Sequence, residues 1–229
     1  MDGMDTQDPR SHKQKIVREA WSPVPDWNSR GYLPHCNETG FTQLITFRLY
    51  DSVPAKLIEQ WQKELKTTPG LTNCDSRKIE LLRRVEKYED AGHGECLLGH
   101  PEIAEIVKKN MLFFDGERYR LLEWCIMPNH VHVLIQPVNG WLLADIVHSW
   151  KSFTGHAAKE IFNLTRPFWK REYHDRFIRD EKHFENARNY IRQNPVTARL
   201  VRNAEDWPWS SAQFSLHAGE PPAGPVYLE

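Results

Sequence analysis

Long apolar runs are missing from this chain of 229 residues; none approaches the roughly 18 consecutive apolar residues that a membrane-spanning helix needs. The segment Met1 to His12 is polar and acidic, without the charged-then-apolar order of a secretory signal. The expected location is therefore the cytoplasm, and no membrane partner is implied. Cysteine is sparse. Cys36, Cys74, Cys96 and Cys125 are scattered, with no Cys-x-x-Cys pair and no dense framework, and read as ordinary reduced residues. Net charge is only −1 at pH 7, which by itself argues neither for nor against a polyanionic partner. Internal repeats are absent too. What remains is an ordinary globular composition, 40% hydrophobic and 27% charged, able to bury one sizeable core with appended helices.

Charge is unevenly placed along that chain. From Arg166 to Leu200 nine basic residues accompany five acidic ones, a local surplus that suits nucleic acid, although solvated helix faces carry such surpluses as well. Hydrophobic periodicity supplies the outline. Phe41 to Tyr50 is β-branched, aromatic and partly alternating, which predicts a strand ended by the Asp51–Pro54 turn. Helices are predicted from about Pro54 to Lys66, from Ser76 to Glu89 and from Pro101 to Phe114, each with an apolar stripe at three- and four-residue spacing. Tyr119–Met127 and Val131–Gln136 read as an antiparallel hairpin across Pro128-Asn129-His130. A long helix from Trp141 to Phe162, a short aromatic strand around Tyr173 and Phe177, and a helix from about Glu181 complete the pattern.

Strands interspersed with longer helices predict an α+β fold, a ferredoxin-like antiparallel sheet covered by helices. Residues 67–100 read as a helical insertion into it. Residues 1–30 read as an N-terminal arm, and residues 213–229, with the Pro/Gly-rich stretch at 218–225, as a C-terminal tail.

Chemistry concentrates in two places. On a strand, His130 and His132 point to one face while Val131 turns to the other, so two imidazoles lie side by side and can chelate a metal. Neutral imidazole suits Mn, Fe, Co, Ni or Zn more naturally than Mg. A plain pair of surface histidines is the bland alternative. On a helix, Tyr190 and Asn194 lie one turn apart. A phenol, with a free pKa of about 10, needs a nearby cation before it attacks a phosphodiester, and the Asn194 amide oxygen would complete a two-histidine site. Against this, Asn194 and Pro195 also make an ordinary helix start, with Asn as N-cap and Pro at the first position. Tyr190 has aromatic packing as its own alternative, and Tyr173 is a rival nucleophile.

The motif MPNHVHVLIQP at 127–137, followed by HSWKSFTG at 148–155, FWKREYHDRFIRDEKHF at 168–184 and NYIRQNPVTARLV at 189–201, resembles the REP-associated tyrosine transposases. These belong to the IS200-like, single-tyrosine His-hydrophobic-His transposases. The resemblance covers roughly residues 30–212, which outlines a catalytic domain over 31–212. It implies that His130 and His132 hold a divalent metal, Mg2+ or Mn2+, with Asn194 as third ligand. Tyr190 is implied as the nucleophile that cleaves single-stranded hairpin DNA, leaving a 5′-phosphotyrosine link and a free 3′-hydroxyl. Tyr173 then falls in a strand-forming block. Extruded bases are expected to stack on Trp150 and Trp169, with core packing as the alternative for both rings, while Lys151, Arg171, Arg176 and Arg179 contact phosphates. Residues 67–100 are longer and more charged than the family core needs, and neither they nor the N-terminal arm are expected to touch the site. The expected activity is that of a DNA transposase and single-strand endonuclease acting by transesterification on REP-like hairpins. The alternatives are a domesticated hairpin-binding protein without catalysis and a metal-dependent nuclease that activates water. A monomer and a homodimer both remain open.

Overall fold

The computed structural model describes residues 27–29, 34–36, 40–71 and 73–217. Two short strands, β1 (Trp27–Ser29) and β2 (Pro34–Cys36), pair antiparallel. The rest of the expected arm, and residues 218–229 of the expected tail, lie outside the described residues. The strand predicted at 41–50 is β3 (Gln43–Leu49). Three helices follow: α1 (Ala55–Thr67), α2 (Cys74–Asp90) and α3 (Pro101–Phe113). The start of α2 is set by Asn73, whose side chain accepts from the Ser76 amide at 2.7 Å, and α3 opens with a proline in its first turn. Then come the hairpin β4 (Tyr119–Ile126) and β5 (His130–Pro137), helix α4 (Leu143–Phe162), strand β6 (Trp169–Phe177) and helix α5 (Glu181–Thr197).

The main sheet runs β4-β5-β3-β6, antiparallel throughout. Taken in chain order, these strands lie second, third, first, fourth across the sheet, the ferredoxin-like arrangement expected from the element pattern. Alternation assigns the two faces. Ile45, Phe47, Val131, Val133 and Ile135 point toward α3 and α4, where Ile103, Val107, Met111, Ile146 and Trp150 meet them in one buried cluster. Each such aliphatic or aromatic side chain contributes about 1.5–3 kcal/mol on burial. Polar ends inside this layer are paired: Trp150 Nε1 donates to the Tyr119 hydroxyl at 3.0 Å, which donates to the Met111 carbonyl at 2.7 Å. The opposite face carries His130 and His132. It is covered by α5 through a smaller cluster of Cys125, Leu134, Ile178, Ala187 and Ile191.

Two irregularities matter for the site. In β4 the register slips between Leu121, which pairs with Ile135, and Glu123, which pairs with Leu134. This bulge reverses the alternation, so Glu123 turns to the histidine face although it lies two residues from core-facing Leu121. Helix α5 also runs unbroken through Asn194-Pro195, which overturns the reading of Asn194 as the cap of a new helix. Pro195 falls in the last turn, where its missing N–H forfeits a single bond near a helix end. The N-cap is Asp180, whose carboxylate accepts from the His183 amide at 2.7 Å.

Candidate active site

His130 and His132 are each only 1% exposed, so neither is the plain surface histidine of the bland reading. Both rings are held from behind. Asn129 donates its side-chain amide to the carbonyls of Glu89 and His93 at 3.0 and 2.9 Å, which leaves its oxygen to face His130 Nδ1 at 2.7 Å. That nitrogen must donate, so in the neutral ring His130 Nε2 presents a lone pair; the tautomer is assigned from this network. His132 Nδ1 lies 2.8 Å from the Thr46 hydroxyl on the neighbouring strand. The two Nε2 atoms therefore point at one another, 2.9 Å apart. Ligands about 2.1 Å from a common cation sit about 3.0 Å apart at right angles, so this spacing suits a chelating pair. Burial keeps both rings unprotonated: it lowers His132 to about 3, with His174 adding to the effect, and it lowers His130 well below the usual range, with His132 and Arg48 adding.

Helix α5 brings the other predicted residues to the same point. Asn194 Nδ2 lies 3.1 Å from His132 Nε2, and the Tyr190 hydroxyl lies 3.5 Å from it. Asn194 Oδ1 is buried without a hydrogen-bond partner, and a half-turn of the amide exchanges it with Nδ2, presenting an oxygen where a cation would need one. The donor set of two imidazoles and an amide thus fits a divalent transition or alkaline-earth ion. A clamp fixes the helix that carries them. Glu123, 1% exposed, accepts from Arg192 Nε at 2.9 Å and from the Ser211 hydroxyl, with Arg188 Nε 3.8 Å away. Arg188 and Arg192 flank Tyr190 in sequence. Glu123→Gln keeps the shape and removes the charge. Because the arginines are 36% and 26% exposed and can be rehydrated, the expected cost is about 1–3 kcal/mol. Urea unfolding checks this; unchanged stability would remove the clamp from the account.

Carboxylates surround the tyrosine. Burial holds Tyr190 well above the usual phenol range, with Glu86, Asp90 and Glu89 reinforcing it. Glu89 accepts from Arg48 at 2.8 Å, yet its own burial outweighs that partner and raises it to about 7. Asp90, raised to about 6 by burial and then by Glu86, puts Oδ1 3.7 Å from His130 Nε2. Asp90 lies within 67–100, so that segment does reach the site, contrary to the sequence expectation. Nothing in its local sequence marks Asp90, which sits 40 positions before His130 in a helix of mixed charge.

The expected DNA contacts divide. Trp150 and Trp169 are 2% and 6% exposed, inside the cluster on the far face; neither ring offers a face to a base, which corrects the stacking expectation in favour of core packing. Trp169 Nε1 donates to Thr154 at 2.9 Å. Lys151 is likewise committed, donating to the carbonyls of Lys170 and Arg171 at 2.6 Å each, and burial lowers it to about 8. A phosphate would have to displace both carbonyls. Arg171, Arg176 and Arg179 are exposed. Arg176 and Tyr190 share the wall of a cleft of about 260 Å3 with Leu44, Glu86, His183 and Asn186. Tyr173 pairs with Phe47 across the sheet and packs in the far-face cluster, which places it on the side away from His132.

Residues 101–194 match the family described as transposase IS200 like. That segment runs from the start of α3 to Asn194, so it contains both histidines and Tyr190. A Haemophilus influenzae protein named as a REP-associated tyrosine transposase is similar to this chain, 37% identical over an alignment of 104 positions that covers 41% of this chain and 59% of the relative. The chain thus spans about three fifths of that relative's length. A solved structure of a REP-associated tyrosine transposase bound to a REP hairpin is 19% identical, covering 88% of this chain and 94% of its own, with a TM-score of 0.49. No helix among the described residues is long and apolar enough to cross a membrane.

Proposed function

We propose that this protein cleaves and rejoins single-stranded hairpin DNA of the REP type, with Tyr190 as nucleophile and a divalent metal, Mg2+ or Mn2+, held by His130, His132 and Asn194. One observation carries the reading: the Tyr190 hydroxyl and the Asn194 amide, one helical turn apart on α5, both reach His132 Nε2, at 3.5 and 3.1 Å. A helix face that delivers a phenol and an amide to a buried imidazole pair suits phosphoryl transfer to tyrosine better than it suits packing.

The chain's residues divide the work. Thr46 and Asn129 hold the imidazoles so that both Nε2 atoms face inward. Burial, reinforced by the surrounding carboxylates, keeps the Tyr190 phenol protonated until charge is supplied nearby. A bound divalent cation would polarise the scissile phosphate and favour the phenolate. Tyr190 Oη then bonds to phosphorus while the P–O3′ bond breaks; the phenolic proton passes to solvent and the 3′-oxygen takes one up. The 5′-phosphotyrosine conserves the bond energy, so attack by a 3′-hydroxyl rejoins DNA without ATP. Arg176, on the cleft wall beside Tyr190, and exposed Arg171 and Arg179 are placed to contact phosphates.

The test is incubation of the full chain with end-labelled hairpin DNA, with and without Mn2+, followed by denaturing electrophoresis and mass spectrometry of the trapped peptide. A metal-dependent adduct on the peptide containing Tyr190 supports the proposal. Cleaved DNA with no adduct would assign the attack to water, and binding without cleavage would leave a hairpin-reading protein.

A further inference from the structure

We infer that Asp90, delivered by the last turn of α2, is a further ligand of the metal held by the histidine pair, an inference that rests on the metal reading above. Its Oδ1 faces His130 Nε2 at 3.7 Å and accepts no hydrogen bond among the described residues. The ligand atoms of Asp90, His130 and His132 all lie within 4.8 Å of one another. Asn129 faces Nδ1 of His130 at 2.7 Å, which turns the opposite ring nitrogen, Nε2, toward the carboxylate oxygen. An imidazole nitrogen and a carboxylate oxygen aimed at a common point suit a cation between them.

Asp90 is also held in place. Asn129 Nδ2 bonds the carbonyls of Glu89 and His93, on either side of Asp90, and the same Asn129 bonds His130, so one side chain ties the end of α2 to the metal-binding strand. The turn beyond is pinned to the end of β3. Glu95 N donates to Asp51 at 2.9 Å, and Gly94, at φ +91°, packs so closely that a Cβ there would lie 3.0 Å from the Asp51 carbonyl. Glu89 is engaged by Arg48, which leaves Asp90 as the carboxylate aimed at the pair. Two imidazoles and an amide carry no charge. A carboxylate adds one, and hard oxygen donors favour Mg2+ and Mn2+ over the softer ions that imidazole alone selects.

Titration calorimetry of the full chain with Mn2+, Mg2+ and Zn2+ tests this on the wild type, Asp90→Asn, Asp90→Glu, Glu105→Gln and His132→Ala, with circular dichroism to establish folding. Loss of a direct ligand should equal or exceed the roughly 10- to 100-fold cost of losing an outer partner. Asp90→Asn is therefore expected to weaken Mn2+ and Mg2+ by at least about tenfold and Zn2+ by less, with Asp90→Glu recovering part of the loss. Glu105→Gln, which removes a carboxylate of α3 on the other side of the sheet, should stay within about threefold. Wild-type affinity in Asp90→Asn, or an equal loss in Glu105→Gln, would overturn the inference while leaving the histidine site standing. If neither the wild type nor His132→Ala binds metal, the histidine reading itself falls, and this inference with it.

Discussion

Tyr190→Phe is expected to abolish the covalent protein–DNA adduct and to lower cleavage by at least about 10⁴-fold, the scale seen when a lone nucleophile is removed. The fold should hardly notice. Tyr190 is half-buried and its ring packs with the cluster on the α5 face, so Phe retains the apolar contacts. The lost hydroxyl makes a long 3.5 Å contact to His132, and a change of less than about 1 kcal/mol in stability follows. Metal affinity should hold or rise slightly, since the phenol supplies no donor in the proposed set. Tyr173→Phe is the matched control: that ring lies on the far face, and its loss should leave the adduct intact. An adduct that survives in Tyr190→Phe and disappears in Tyr173→Phe would reverse the assignment. Cleavage that persists in Tyr190→Phe without any adduct would give the attack to water.

Most of the architecture was legible because it rests on local periodicity. The helix stripes, the hairpin around Pro128-Asn129 and the strand at 43–49 each sit within about two residues of their predicted places, the usual scatter at element ends. His130 and His132 were legible for the same reason, since a two-residue spacing on a strand leaves one geometric outcome. What failed depended on contacts between distant segments. Glu123 is not singled out in the sequence, because the bulge at 121–123 that turns it toward α5 leaves no mark on the alternation of β4. Asp90 reaches His130 because the end of α2 is tied down by Asn129, a bond across 40 positions that no periodic signal announces. Trp150 and Trp169 lie beside basic residues in sequence and look like base platforms, yet the four-strand sheet needs large rings beneath β3. Asn194-Pro195 reads as a helix start because those residues favour one; tertiary packing carries α5 past it and places the Asn194 amide 3.1 Å from His132 Nε2.

His132→Ala is the second large effect, and it separates function from folding. The imidazole is the hub: His130 at 2.9 Å, Asn194 at 3.1 Å and Tyr190 at 3.5 Å all converge on Nε2, while Thr46 holds Nδ1 at 2.8 Å. Without it a bidentate pair becomes a single ring. Mn2+ affinity should fall by at least about 100-fold, and the adduct should vanish with it. Stability follows a different course. The vacated space is bordered by a hydroxyl, an amide and an imidazole, polar enough to take up water, so the loss near pH 7 should be about 1–3 kcal/mol. Acid narrows that gap. His132 is lowered to about 3 in the folded chain against about 6.5 unfolded, so the unfolded chain binds the extra proton as pH falls and wild-type stability is lost below about 6.5. The alanine variant lacks this site, and without metal the two should approach one another by about 2 kcal/mol between pH 7 and pH 5. Urea unfolding at both pH values, beside calorimetry and adduct formation with Mn2+, measures all three. A variant that still binds Mn2+ tightly and forms the adduct would remove His132 from the metal site, and a gap that stays constant with pH would mean that His132 is protonated inside the fold.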